Sequence, residues 1–174
     1  MFDEPGLGEV AAHVSGLTLV QAGRGAQLGV EGTLLLGWLA TRLGWKAGAL
    51  AGKLRLQRPD GGTVHTSLRG ESASGAVTAG TAGALQGVSI EASYGDTAVR
   101  GGIERDATGD AATWRLEVTA AGAGTRRFEQ RVKLSLSTPV ALLERTLHRP
   151  ARDAALSEAA TWADELRDDE LACA

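Results

Sequence analysis

Two glycine-rich segments contain residue types that can bind phosphates. Residues 23–29, GRGAQLG, follow a strand-like segment and precede a helical one, as a dinucleotide-binding loop does. They place three residues rather than two before the last glycine, and the downstream pattern is not βαβ. Residues 48–53, GALAGK, are one residue short of a Walker A loop, and Leu54 stands where a magnesium-binding hydroxyl is needed. We interpret the first segment as a connector and the second as the start of a strand.

The side chains that carry most catalytic and metal chemistry are isolated in the sequence. Three histidines lack a second ligand two to four residues further on: His13, His65 and His148. Cys173 is the single cysteine, and no Gly-x-Ser-x-Gly nucleophile elbow occurs. The paired carboxylates Asp3-Glu4 and Asp164-Glu165 lie near a terminus or on the polar side of a helical pattern. The sequence therefore predicts no catalytic residues, no metal site and no cofactor, and we expect a protein that is not an enzyme.

Length and composition suggest one domain spanning 1–174, with frayed tails at 1–8 and 168–174. A chain of 174 residues with 43% hydrophobic content can bury one sizeable core. The 18 basic and 21 acidic residues are dispersed and give a net charge of −3, which argues against binding to nucleic acid or to a membrane surface. A single cysteine and the lack of a leader or a long apolar run indicate a cytoplasmic protein.

The segment Thr33–Trp45, TLLLGWLATRLGW, is the strongest helical pattern in the chain. Thr33 is the expected N-cap, and Gly44 stands where a left-handed C-cap belongs. The predicted apolar face consists of Leu34, Leu35, Trp38, Leu39 and Leu43. Gly37 inside a helix costs about 1 kcal/mol relative to Ala, so we expect it to allow close approach to a sheet.

Period-two alternation dominates most of the remaining chain. The segment 13–20 precedes the helix, and the others follow it: 50–57, 64–69, 88–94, 99–104, 114–119 and 128–136. Further helices are predicted from Thr138 and from Ala151. The predicted fold class is α+β. It is an antiparallel β-meander of about six to seven strands, covered on one face by the Thr33–Trp45 helix and the C-terminal helices, with the other face solvated.

The four tryptophans divide into two pairs. Trp38 and Trp114 lie on apolar faces and are expected in the core, because burial of a Trp removes roughly 200 Å² from water. Trp45 and Trp162 either close the core or lie in a protein interface, where Trp is enriched. Together with the basic Arg42 of the helix, these two residues are our candidates for partner binding.

Residues 34–45, LLLGWLATRLGW, resemble the LLxGWLAxRLGW motif in the C-terminal domain of the OpcA family of glucose-6-phosphate dehydrogenase assembly proteins. RVKLSL at 131–136 and ALLE at 141–144 follow in a similar order. The resemblance implies a non-catalytic accessory protein that binds glucose-6-phosphate dehydrogenase and promotes its assembly or activation. Members of the family usually have an additional N-terminal domain, so we expect an excised domain or a shortened relative.

A second function is compatible with the same order of elements. A strand, a helix, a meander and a C-terminal helix also describe helix-grip proteins, in which a curved sheet wraps a helix around an apolar cavity for a small molecule. Such a cavity needs several hundred Å³ and a few convergent polar groups. A core filled by side chains would contradict this alternative.

Overall fold

The computed structural model describes residues 7–23, 28–50, 53–71, 83–106 and 111–133, together with 157–158, 160–162 and 164. Two helices and eight strands follow one another along the chain, and the described residues between 157 and 164 are also helical. In order they are α1 (Leu7–Ala12), β1 (Val14–Ala22), α2 (Val30–Leu43), β2 (Lys46–Leu50), β3 (Lys53–Gln57), β4 (Thr63–Glu71), β5 (Leu85–Tyr94), β6 (Thr97–Arg105), β7 (Ala111–Ala120) and β8 (Gly124–Lys133).

The eight strands form one sheet in the order β2-β3-β4-β1-β5-β6-β7-β8. β1 pairs in parallel with β4, and all other neighbours are antiparallel. The broad α+β class is confirmed, whereas a purely antiparallel meander of six to seven strands was wrong. Alternation in a sequence identifies a strand but not its neighbour, so the strand order could not be predicted. The first strand of the chain, β1, lies in the middle of the sheet between β4 and β5.

The segment predicted as one strand over 50–57 is instead a β-hairpin. β2 and β3 are antiparallel, with Ala49 opposite Leu54 and Leu50 opposite Lys53. The alternating pattern continues across the short connection, so it concealed the reversal. The next turn lies between β3 and β4: the Arg58 amide donates to the Gly62 carbonyl at 2.8 Å, and the two strands pair.

Helix α2 begins three residues before the predicted Thr33. Its N-cap is Gly29, whose carbonyl accepts hydrogen bonds from the Thr33 amide at 2.9 Å and the Thr33 hydroxyl at 3.1 Å. Thr33 therefore closes the first turn from inside the helix. The C-cap is confirmed, because Gly44 has φ 66° and the Trp45 amide donates to the Ala40 carbonyl at 2.8 Å.

The core lies where α2 packs on the middle of the sheet. It contains Leu36, Leu39 and Ala40 from α2, together with Val14, Leu17, Trp45, Leu56, Val64 and Ala92. Full burial of each leucine stabilises the fold by about 1.5–3 kcal/mol. Trp162, in the C-terminal helical residues, packs against the same cluster. A covering helix near the C-terminus is thus present at Trp162, while the helix predicted from Thr138 lies outside the described residues.

Trp38 is 39% exposed, so its predicted place in the core was wrong. At about 100° per residue, the buried positions 36, 39 and 40 lie on one side of α2, and position 38 points roughly 200° away from position 36. Trp114 is half-buried on β7. Gly37 is buried, and its expected close approach to the sheet stays a prediction.

The predicted tail 1–8 overlaps α1, which starts at Leu7. Residues 1–6 and 168–174 lie outside the described part of the chain, as does the turn predicted at Thr108–Asp110. A single domain over 1–174 with frayed ends stays a prediction.

Candidate partner-binding surface

The three residues chosen from the sequence for partner binding occupy different environments. Arg42 is exposed in the last turn of α2. Trp45 is 4% exposed and belongs to the core, whereas Trp162 is half-buried against it. Partner binding by these residues stays a prediction. Trp38, one helical turn before Arg42, presents more apolar surface than Trp45.

Strands β5–β8 present two chemically different faces. One face, which we call the polar face, has charged side chains in cross-strand rows, because directly paired residues point to the same side of a sheet. Glu91, Arg100, Glu117 and Arg127 form one such row across the four strands. Its charges are neutralised internally: Arg100 contacts Glu91 at 2.8 Å, and Arg127 contacts Glu117 at 2.6 Å.

Arg115 connects the next charges on the polar face. It contacts Glu104 at 2.9 Å and Glu129 at 3.0 Å, and its hydrogen bonds with Glu129 and then Glu104 raise the pKa of the guanidinium. Arg131 contacts Asp106 at 2.7 Å. Except for Asp106, these side chains are largely solvent-exposed, so each exposed pair contributes little to stability. The polar face offers few unpaired charges to a partner.

The opposite face of β5–β8 continues the apolar surface on which α2 packs. A single cross-strand row passes from Leu17 through Ile90, Gly101 and Leu116 to Phe128. Leu17 is 1% exposed under α2, whereas Phe128 on β8 is 51% exposed. The sheet is therefore wider than the helix that covers it.

The uncovered part has a defined set of apolar side chains, which we call the β6–β8 patch. Its members are Ile103, Trp114, Leu116, Val118, Phe128 and Val132, and the polar Gln130 lies among them in the row of Ile103 and Trp114. Ile103 is 42% and Val132 is 44% exposed, and Leu116 and Val118 are half-buried. Contiguous exposed apolar surface of this kind marks interaction sites more often than scattered exposed residues do.

Two arginines flank the β6–β8 patch on the same face. Arg126 is paired across the strands with Val118, and Arg105 lies in the row of Ala112 and Val132. Both are exposed, and neither forms an ion pair with any residue that the structure describes. The patch is therefore an apolar strip with, at each end, an arginine that has no ion-pair partner among the described residues.

A third cluster has a structural role at the start of β1. Arg58 contacts Asp60 at 2.9 Å and donates to the Val14 carbonyl at 3.0 Å, so it ties the β3–β4 turn to β1. The Arg58 hydrogen bond and then the Gly62 amide hold the pKa of the Asp60 carboxyl below its ordinary value. His13 stacks on Tyr94 at 4.8 Å between ring centroids. Arg58 and Asp60 thus connect the β3–β4 turn to the start of β1.

The glycine segments considered as phosphate loops are placed differently by the structure. Within GALAGK, residues 48–50 end β2 and Lys53 begins β3. Of the 23–29 segment, residues 24–27 lie outside the description, and Gly29 donates its amide to Gln21 Oε1 at 2.9 Å. Within the described ranges, no group of three or more His, Cys, Asp or Glu side chains could hold a metal ion. No helix in those ranges is long and apolar enough to cross a membrane.

Comparison with known proteins identifies the family. Residues 1–160 match a family model for the C-terminal domain of OpcA, which is described as a glucose-6-phosphate dehydrogenase subunit. The chain belongs to this family. No curated protein and no solved structure was matched. The resemblance first found in residues 34–45 is thus confirmed, and it extends over β1–β8 of this OpcA-type domain.

The motif that identifies the OpcA-type domain is mainly a folding motif. Within it, Leu36, Leu39 and Trp45 are buried, and Gly44 caps α2. The β6–β8 patch was not found from the sequence, because helices were expected to cover that face of the sheet. One feature of the sequence indicated that this face is not fully covered: Arg126 interrupts the apolar side of β8, two residues before Phe128.

Proposed function

We propose that this OpcA-type domain is a non-catalytic accessory protein that binds glucose-6-phosphate dehydrogenase and promotes its assembly or activation. The observation that carries the proposal is the family match over residues 1–160. The described geometry supports it in a general way, since exposed apolar and basic side chains suit a protein interface better than a reaction centre.

Activation requires that the domain bind one state of the dehydrogenase more tightly than another. A ligand with equal affinity for both states shifts neither, however tightly it binds. A tenfold shift toward an active conformation or oligomer needs about 1.4 kcal/mol of differential binding. Contacts at a few exposed side chains are sufficient for an effect of that size.

Arg42 is the partner-contact residue of α2 in this proposal. It lies on the side of the helix that faces away from the core, close to the exposed Trp38. Trp162 is half-buried and would contribute its exposed edge. Trp45 is buried in the core, so it would contribute by holding the end of α2 in place.

The test is a titration of purified cognate dehydrogenase with the wild-type chain. We expect a higher sedimentation coefficient for the dehydrogenase and an increased rate per active site, while the chain alone converts none of the dehydrogenase substrates. Arg42→Glu should weaken the effect, and Arg69→Glu, an exposed charge reversal on β4, should leave it unchanged. Unchanged sedimentation and rate at saturating wild-type chain would refute the proposal.

The small-molecule alternative is not favoured by the described core. Leu17, Leu36 and Leu56 are at most 1% exposed between α2 and the sheet. Among the described residues, Gln21 is the one buried polar side chain, and its Oε1 already accepts the Gly29 amide. A binding cavity would need several convergent polar groups.

A further inference from the structure

We infer that the β6–β8 patch is the docking surface for one amphipathic segment of the dehydrogenase, whose apolar side covers Phe128 and whose carboxylates meet Arg105 and Arg126. The inference rests on the proposed function for the identity of the partner. It names the surface, the size of the bound element and its charge.

The size of the patch suits a single element of secondary structure. From the row of Val99 and Arg126 to the row of Arg105 and Val132, β6 advances six residues. At about 3.3 Å per residue and 4.8 Å between strands, the patch measures roughly 20 Å by 10 Å. These dimensions match a helix of about 13 residues, which is about 10 Å wide. The footprint of the patch is about 200 Å², roughly a quarter of the 800 Å² that a typical stable interface buries on each partner.

The charges of the patch select an acidic partner. Every ion pair described on β5–β8 lies on the polar face, whereas Arg105 and Arg126, on the opposite face, form no ion pair with a described residue. Apolar contact supplies affinity at the centre, and carboxylates at the rim set register and speed association. The occupant is therefore an apolar segment with an Asp or Glu near each end, about 20 Å apart.

Two other occupants are disfavoured by the same charges. In a twofold dimer formed patch to patch, each copy would bring the same two arginines to the interface. Residues 134–156 of the chain itself contain three Arg against one Glu and one Asp, a net positive charge. A patch-to-patch dimer brings no carboxylate to either arginine, and Glu144 and Asp153 of the chain's own segment would be only about 14 Å apart on a helix, less than the roughly 20 Å between Arg105 and Arg126.

β8 offers a matched pair of charge reversals on its two faces. Arg126 lies on the patch side and Lys133 on the polar side, both are exposed, and neither has an ion pair in the described structure. Arg126→Glu and Lys133→Glu change the net charge equally. A difference between them therefore reports the face that is used.

The experiment measures the Kd of the full chain for the cognate dehydrogenase at two salt concentrations. We expect Arg126→Glu to raise Kd several-fold, the double variant Arg105→Glu/Arg126→Glu to raise it at least tenfold, and both to flatten its salt dependence. Lys133→Glu should stay within about twofold of wild type. Phe128→Ser should also raise Kd about tenfold without changing the salt dependence. Thermal unfolding of each variant verifies that it folds. If Phe128→Ser does not fold, the arginine variants alone test the inference.

The outcomes separate this inference from the proposed function. Absence of binding by the wild-type chain overturns the proposed function. Wild-type binding that is unaffected by the double variant, or weakened as much by Lys133→Glu as by Arg126→Glu, overturns the docking surface alone. Two further results also overturn the surface: a dimer of the chain that the double variant dissociates, and a large loss of stability in that variant without a loss of binding.

Discussion

Gly29 lies where the start of α2 touches the chain that enters β5, and it is the position at which a single methyl group should be most damaging. A Cβ atom built on Gly29 would lie 2.2 Å from the carbonyl oxygen of Gly83, well inside the 3.0 Å that real Cβ contacts essentially never cross. The obstacle is backbone, so no side-chain rotation relieves it. Gly29→Ala must therefore separate α2 from this segment.

The energetic cost follows from the hydrogen bonds that would move with Gly29. Its amide donates to the buried Gln21, and its carbonyl accepts from Thr33. Overpacking typically costs about 1–3 kcal/mol. Ala is also a poorer N-cap than Gly, while the lower entropy of the unfolded Ala chain returns about 0.4–1 kcal/mol. We expect a net loss of about 2–3 kcal/mol, which lowers Tm by about 4–12 °C in a chain of this size.

The assay is thermal and urea unfolding of Gly29→Ala beside a matched control. Gly16→Ala in β1 is suitable, because its new Cβ would be 3.4 Å from Glu91, an ordinary contact. The control should be as stable as wild type or slightly more stable. The φ of Gly29 is −71°, which Ala adopts readily, so backbone strain cannot explain a loss. A Tm for Gly29→Ala within about 2 °C of wild type would refute the predicted close contact.

Three further substitutions test the cap, the turn and the polar face. Gly44→Ala should cost about 1–2 kcal/mol because φ is +66°, and Gly44→Asn should cost less; equal stability of the two in urea would contradict this cause. Arg58 lowers the pKa of the Asp60 carboxyl. The ionised carboxylate therefore stabilises the fold above the ordinary pKa of an Asp, and this stabilisation is lost as pH falls through the lowered pKa. Asp60→Asn should therefore reduce Tm at pH 7 and converge with wild type in acid, and parallel Tm–pH curves would count against it. Arg115→Gln should cause a small Tm decrease that disappears in high salt, and a large salt-independent decrease would contradict its exposed position.

Much of the local structure was predictable because its causes are local. Alternation over 64–69 and 88–94 identified β4 and β5, and a glycine after the last helical turn identified the cap of α2. The start of α2 was missed because its N-cap is a glycine held by Gln21, eight residues earlier in the chain. No side-chain cap is present at that position to be recognised.

The candidate surface was predictable only in part. Arg42, chosen as the basic residue of the family motif, is exposed, and its part in partner binding stays a prediction. Trp38 was assigned to the wrong side of α2, because the apolar residues of this helix surround most of its circumference. Phe128 was expected under a covering helix, yet it is 51% exposed. Exposure depends on what packs against a strand, and that information is not present in the strand.

The sequence by itself determined the family, the α+β class and most strand and turn positions, since periodicity and glycine conformation act over a few residues. Tertiary structure decided that β1 enters the sheet between β4 and β5, which depends on pairing between distant segments. It also decided how far α2 extends over the sheet. Because α2, about 10 Å wide, cannot by itself cover eight strands at about 4.8 Å spacing, Phe128 and Val132 of β8 are about half exposed, on a face that also has Arg105 and Arg126.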